Sequence, residues 1–129
     1  MRYYVFFCGV MILALGKSAS KILTCYEVAP FQEGALILGG SIIICGLFSL
    51  KYKWHGLVGA GVLGLLGAAC GLENIPGLIK IAHGERPRGA APILEFGVTL
   101  ICLLLLIRVL GALRRERARR VLELHQEQE

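Results

Sequence analysis

Four stretches of the chain carry no charge: Tyr3 to Gly16, Gly34 to Leu50, Gly56 to Leu72 and Phe96 to Ile107. Flanking residues bring three of them close to bilayer length, since a helix of about 20 residues crosses roughly 30 Å of hydrocarbon. The pattern predicts helices over about 3–24, 31–50, 54–72 and 92–113. The second is expected to begin near Phe31, because proline suits a first turn and disfavours a helix interior, and Ala29-Pro30 lies just before it. Lys51–His55 is short enough to make helices two and three an antiparallel hairpin, with Tyr52 and Trp54 at the interface, where aromatic rings meet headgroups. Pro76-Gly77 marks the exit from the third helix. Glu73–Ala91 is the longest connection, with room for a short interfacial helix around Gly77–Ala82 and then a loop over 84–89. The last helix is expected to continue into water as Arg114–His125.

The expected fold is therefore an all-α integral membrane protein, an up-down bundle of four transmembrane helices over 1–113 with a basic, polar C-terminal extension over 114–129. With 129 residues, 56% of them hydrophobic, the spans and their connections leave no separate soluble domain. The first apolar run admits a second reading. Met1-Arg2 and Tyr3–Gly16 resemble the n- and h-regions of a signal peptide, with Ser18-Ala19-Ser20 as a small-residue cleavage site. Retention as a first helix keeps Arg2 and the basic tail on one side, and is the reading adopted.

Charge changes the picture next. The net charge is +5, and Arg114, Arg115, Arg117, Arg119 and Arg120 lie together just after the last apolar run. Such a cluster anchors topology from the cytoplasmic side, and the same charges favour anionic lipid headgroups. Nucleic acid is not expected as a partner, because no aromatic or RNA-binding pattern accompanies the arginines. With four spans, Arg2, Lys51, Lys53 and the cluster share one side, while Lys17, Lys21, Lys80, Arg86 and Arg88 take the other. The denser cluster places both termini in the cytoplasm and the protein in the cell membrane as a multi-pass chain. Arg108, about a turn and a half before the cluster, is expected to snorkel toward the same interface.

Gly56, Ala60, Gly64 and Ala68 recur at four-residue spacing along one face of helix three. In lipid, small residues let helix backbones approach closely and gain dispersion contacts. The stripe is expected to pack helix three within the bundle; a homodimer or a seam with a partner protein is the alternative. Lys17, Glu33 and Glu95 fall near the outer end of the bundle and form a candidate polar cluster, whose members otherwise snorkel or cap helix ends.

Chemistry is harder to find. Cys8, Cys25, Cys45, Cys70 and Cys102 form no C-x-x-C pair, although Cys25 and Cys70 can share a membrane face as a possible disulfide. His55, His83 and His125 are scattered, no aspartate occurs, and no metal-ligand spacing, G-x-S-x-G or P-loop is present. Neither an enzymatic activity nor a cofactor or metal is expected.

Gly16-Lys17, Glu33-Gly34, Leu38-Gly39-Gly40 and Cys45-Gly46-Leu47 resemble the DoxX/MauE-type small membrane proteins, over Gly16 to about Gly71. Only Cys70-Gly71 stands where the MauE-like branch carries Cys-Gly-Cys. The resemblance implies a four-helix bundle in a bacterial inner membrane, associated with redox or thiol metabolism, with Lys17 and Glu33 as its residues. Three functions follow. The first is a non-catalytic accessory or structural subunit that packs against a membrane partner or a second copy. The second is a DoxX/MauE-like redox-associated protein. The third is a small proton-coupled transporter that uses Glu95.

Overall fold

The computed structural model describes residues 2–23, 25–85 and 91–128, apart from the side chains of Arg2, Cys25 and Glu27. Every regular element among them is a helix: α1 (Arg2–Ile22), α2 (Cys25–Lys51), α3 (Lys53–Leu72), α4 (Ile75–Ala82) and α5 (Ala91–Glu127). All except α4 are long and apolar enough to cross a membrane. The chain runs up and down through these four; the most extensive packing is between α1 and α2, followed by α3 with α5, α2 with α3 and, less closely, α5 with α1. The ring closes around Val5, Cys8, Ile12, Ile42, Leu105 and Val109, with α1 as one of its walls.

Two helix boundaries differ from the sequence expectation. The second helix starts at Cys25, so Pro30 lies inside it. Proline removes one i→i−4 hydrogen bond and crowds the preceding carbonyl. At its sixth residue the defect falls next to the first turn, where backbone N–H groups lack intrahelical acceptors in any case. The α2–α3 connection is shorter than Lys51–His55, for both helices run up to Tyr52, which alone breaks them with φ −123° and ψ 83°. The exit helix begins at Ile75, two residues earlier than expected, with Pro76 in its first turn and a positive φ of 87° at Gly84 closing the turn after it. The rest of the expected loop, 86–89, including Arg86 and Arg88, lies outside the described residues. So does the Cys25 side chain, and with it the suggested pairing to Cys70.

The small-residue stripe of α3 is used inside the bundle. Gly56, Ala60, Gly64 and Ala68 are all buried. A methyl group at Gly56 would collide with the backbone of Ser49, and one at Gly64 would stand 3.3 Å from the Cys102 carbonyl. Gly67 and Gly71 serve the same seam, meeting Cys102 and Thr99 of α5. Between α1 and α2 the approach is also close. A methyl group at Gly9 would lie 3.0 Å from the Gly39 carbonyl, and one at Gly16 would lie 2.7 Å from the Ala35 Cβ. Side chains that would hold the backbones apart are missing at each crossing, which is how helices gain contact where lipid offers no hydrophobic driving force.

Candidate functional sites at the two ends of the bundle

One end of the bundle carries the α1–α2 connection and α4; the other carries the start of α1, Tyr52 and the extension of α5. Each end has a cavity.

At the α4 end, a cavity of about 350 Å³ opens between α2, α3 and α5. Helix α2 contributes Pro30, Phe31, Gly34, Ala35 and Leu38, and α3 contributes Leu66, Gly67 and Cys70. Polar groups come from Glu95 and Thr99 of α5 and from Asn74 at the exit of α3. Gly34 of α2 is exposed at the edge of the cavity, and a methyl group added there would meet no atom within 4 Å. Thr99 is buried and donates its hydroxyl to the Glu95 carbonyl at 2.8 Å, leaving lone pairs of Oγ1 as acceptors. Of the expected polar cluster, Glu95 lines this cavity, whereas Lys17 and Glu33 are exposed and do not. A carboxyl on an apolar wall, with hydroxyl and amide groups beside it, suits a small amphipathic ligand that brings a donor or a positive charge.

The opposite end holds a larger hollow of about 560 Å³, where the start of α3 meets α5 between Ile107 and Arg120. Lys53, Arg108, Arg115, Arg119 and Arg120 line it together with one carboxylate, Glu116. Its apolar side is made by Leu57, Ile107 and Ala112, and Trp54 forms part of the rim. Two arginines are held by rings: the Arg120 guanidinium lies 4.9 Å from the Trp54 ring centre, and that of Arg108 lies 5.3 Å from the Tyr4 ring centre. Arg108 thus turns toward the end at which α1 begins, as a snorkelling arginine should. The cluster itself is divided, since Arg115, Arg119 and Arg120 line the hollow and Arg114 and Arg117 do not.

Sequence reasoning put Lys53 on the same side as the cluster and Trp54 at the interface, but did not bring either into one site with the arginines. They join it through the register of α3 against α5, in which a methyl group at Gly61 would lie 3.0 Å from Val109. Spacing along the chain carries no trace of that register. No group of three or more metal-ligating side chains occurs among the described residues. The chain matches no protein-family model, no curated protein and no solved structure.

Proposed function

We propose that this chain is a non-catalytic accessory subunit of a membrane assembly, with both termini in the cytoplasm, and that it grips its partner with the extension of α5. One observation carries the reading. Val121, Leu122 and Leu124 are 49%, 65% and 62% exposed on the part of α5 that has left the bundle. The extension over 114–127 is about 21 Å long at 1.5 Å per residue. Its apolar side chains are therefore covered neither by the bundle nor, where the helix stands in water, by lipid.

At about 100° per residue, Val121 and Leu124 share a face with Arg114 and Arg117 and point away from Arg115 and Arg119. An apolar pair flanked by arginines matches a partner surface that is apolar with acidic residues around it. The α3 stripe does not compete for that role, because it is spent on packing within the bundle.

The test is a pull-down of the tagged chain from native membranes in nanodiscs, with intact-mass analysis, beside a Val121→Lys/Leu124→Lys variant. The wild type should retain a stoichiometric partner and the variant at least tenfold less. Recovery of the wild type alone would end the proposal. Recovery as a dimer that the variant abolishes would make the partner a second copy.

The cavity beside Glu95 favours a second reading, a small transporter. Reconstituted protein should then move a lipophilic ammonium ion against a proton gradient, and Glu95→Gln should abolish the movement; flux that the substitution leaves intact would remove the idea. The DoxX/MauE-like reading has less support, since Lys17 and Glu33 are both exposed and stand outside the cavity.

A further inference from the structure

The hollow at the basic end combines features that a diffuse patch of surface charge lacks. Five cations face one carboxylate within a single concavity. The N-terminus of α3 lies beside it, with Lys53 and Trp54 as its first residues. Arg108 enters from below. Its neighbour Val109 is level with Gly61, eight residues into α3 from Lys53, so the Arg108 backbone lies about 12 Å beneath the helix end. Its guanidinium, held over the Tyr4 ring, reaches from that depth toward the end of the bundle and lines the hollow on the way.

The lower part of the hollow is shaped for an apolar chain. Leu57 and Ile107 line it, and Gly111 leaves an opening in which an added methyl group would touch nothing within 4 Å. Glycine is costly in the middle of a helix, by about 1 kcal/mol relative to alanine. Gly111 is exposed and meets no neighbour, so a side chain added there would occupy open space on the lining of the hollow.

An ion recognised here must be negative at the level of Lys53, Arg115 and Arg119, and it must tolerate an apolar surface one to two turns lower. From that arrangement we infer that the hollow binds one anionic phospholipid, its phosphate among Lys53, Arg108, Arg115 and Arg119 and an acyl chain along Ile107 and Gly111. Trp54 closes the rim at headgroup level, where its ring is at home. Glu116 lowers the local charge without reversing it. The bundle must be in a bilayer for this, but the site does not depend on the partner contact proposed for Val121 and Leu124.

Trp54 is the sole tryptophan of the chain, so its fluorescence reports on the hollow. The full chain is placed in phosphatidylcholine nanodiscs with a tryptophan-free scaffold, and phosphatidylglycerol is increased stepwise. The expected signal saturates at one anionic lipid per chain. Gly111→Leu fills the groove without altering charge and should weaken binding at least tenfold. Arg115→Gln/Arg119→Gln should weaken it as much. Arg114→Gln/Arg117→Gln removes the same charge outside the hollow and should leave the saturating signal in place. A signal that rises without saturating, or equal losses in the two arginine pairs, would overturn the site in favour of general attraction to the membrane surface. Inorganic phosphate added to pure phosphatidylcholine nanodiscs should give no saturating change; saturation by phosphate alone would overturn the lipid assignment. Should Gly111→Leu fail to fold, the two arginine pairs decide the matter by themselves.

Discussion

Alanine at position 56 is expected to destabilise the bundle by about 3 kcal/mol, the upper part of the usual range for overpacking a core. The added methyl group would overlap the backbone nitrogen and Cα of Ser49 and stand 2.6 Å from the Cys45 carbonyl. A flexible side chain could turn aside, but these are main-chain atoms of α2, and the helix must move as a whole. It has little freedom to do so, because Tyr52 alone separates α2 from α3. Ser49 is itself buried, with its hydroxyl donated to the Gly46 carbonyl at 2.7 Å, so displacing α2 disturbs a satisfied polar group. Gly40→Ala supplies the comparison, since a methyl group there meets nothing within 4 Å. That variant should be neutral or more stable by up to about 1 kcal/mol from helix propensity alone. Unfolding in mixed micelles by graded addition of dodecyl sulfate, followed by helical circular dichroism, measures both. Equal stability of the two variants would mean that α2 and α3 do not touch at this level. Gly64→Leu, whose first carbon already meets the Cys102 carbonyl at 3.3 Å, should fail in the same way at the α3–α5 seam.

The four long apolar helices were legible because their signal is local: an uncharged run of sufficient length is a property of neighbours along the chain. The α3 stripe was legible for a related reason, since four-residue spacing places Gly56, Ala60, Gly64 and Ala68 on one face whatever that face meets. Pro30 misled because a local rule was applied without its setting. Proline is excluded from helix interiors by a cost that the start of α2 incurs at only one hydrogen bond, next to a turn that is short of acceptors anyway. Sites are a different matter, because they arise where separate helices meet. The arginine cluster and Glu95 stood out as charges beside apolar runs. Sequence could not divide Arg115 and Arg119 from Arg114 and Arg117, nor bring Lys53 and Trp54 to them, because both facts follow from how α5 is rotated and shifted against α3. The cavity beside Glu95 likewise depends on α2, α3 and α5 meeting, helices distant in sequence.

Replacing Arg114, Arg115, Arg117, Arg119 and Arg120 together by glutamine should change the orientation of the whole bundle. Of the fourteen basic residues, nine belong to the end at which α1 begins: Arg2, Lys51, Lys53, Arg108 and the cluster. The order of the helices along the sequence assigns the other five, Lys17, Lys21, Lys80, Arg86 and Arg88, to the opposite end. Excess lysine and arginine near helix ends retains a segment in the cytoplasm, so in the proposed orientation this balance is what holds both termini there. Without the cluster the balance becomes four against five, and Arg108 sits too deep to count fully. A mixed or inverted population is the expected result. A C-terminal reporter that is active only in the cytoplasm, paired with one that is active only outside it, reads the two populations in intact cells. The wild type should give the cytoplasmic signal alone, and the fivefold variant should divide between the two. A wild-type chain whose C-terminus reports from outside would reverse the proposed orientation, and a variant that stays fully cytoplasmic would show that the cluster does not set it. Arg115→Gln/Arg119→Gln leaves seven against five and should keep the native orientation. Loss of lipid binding in that pair then reflects the hollow and not an inverted protein.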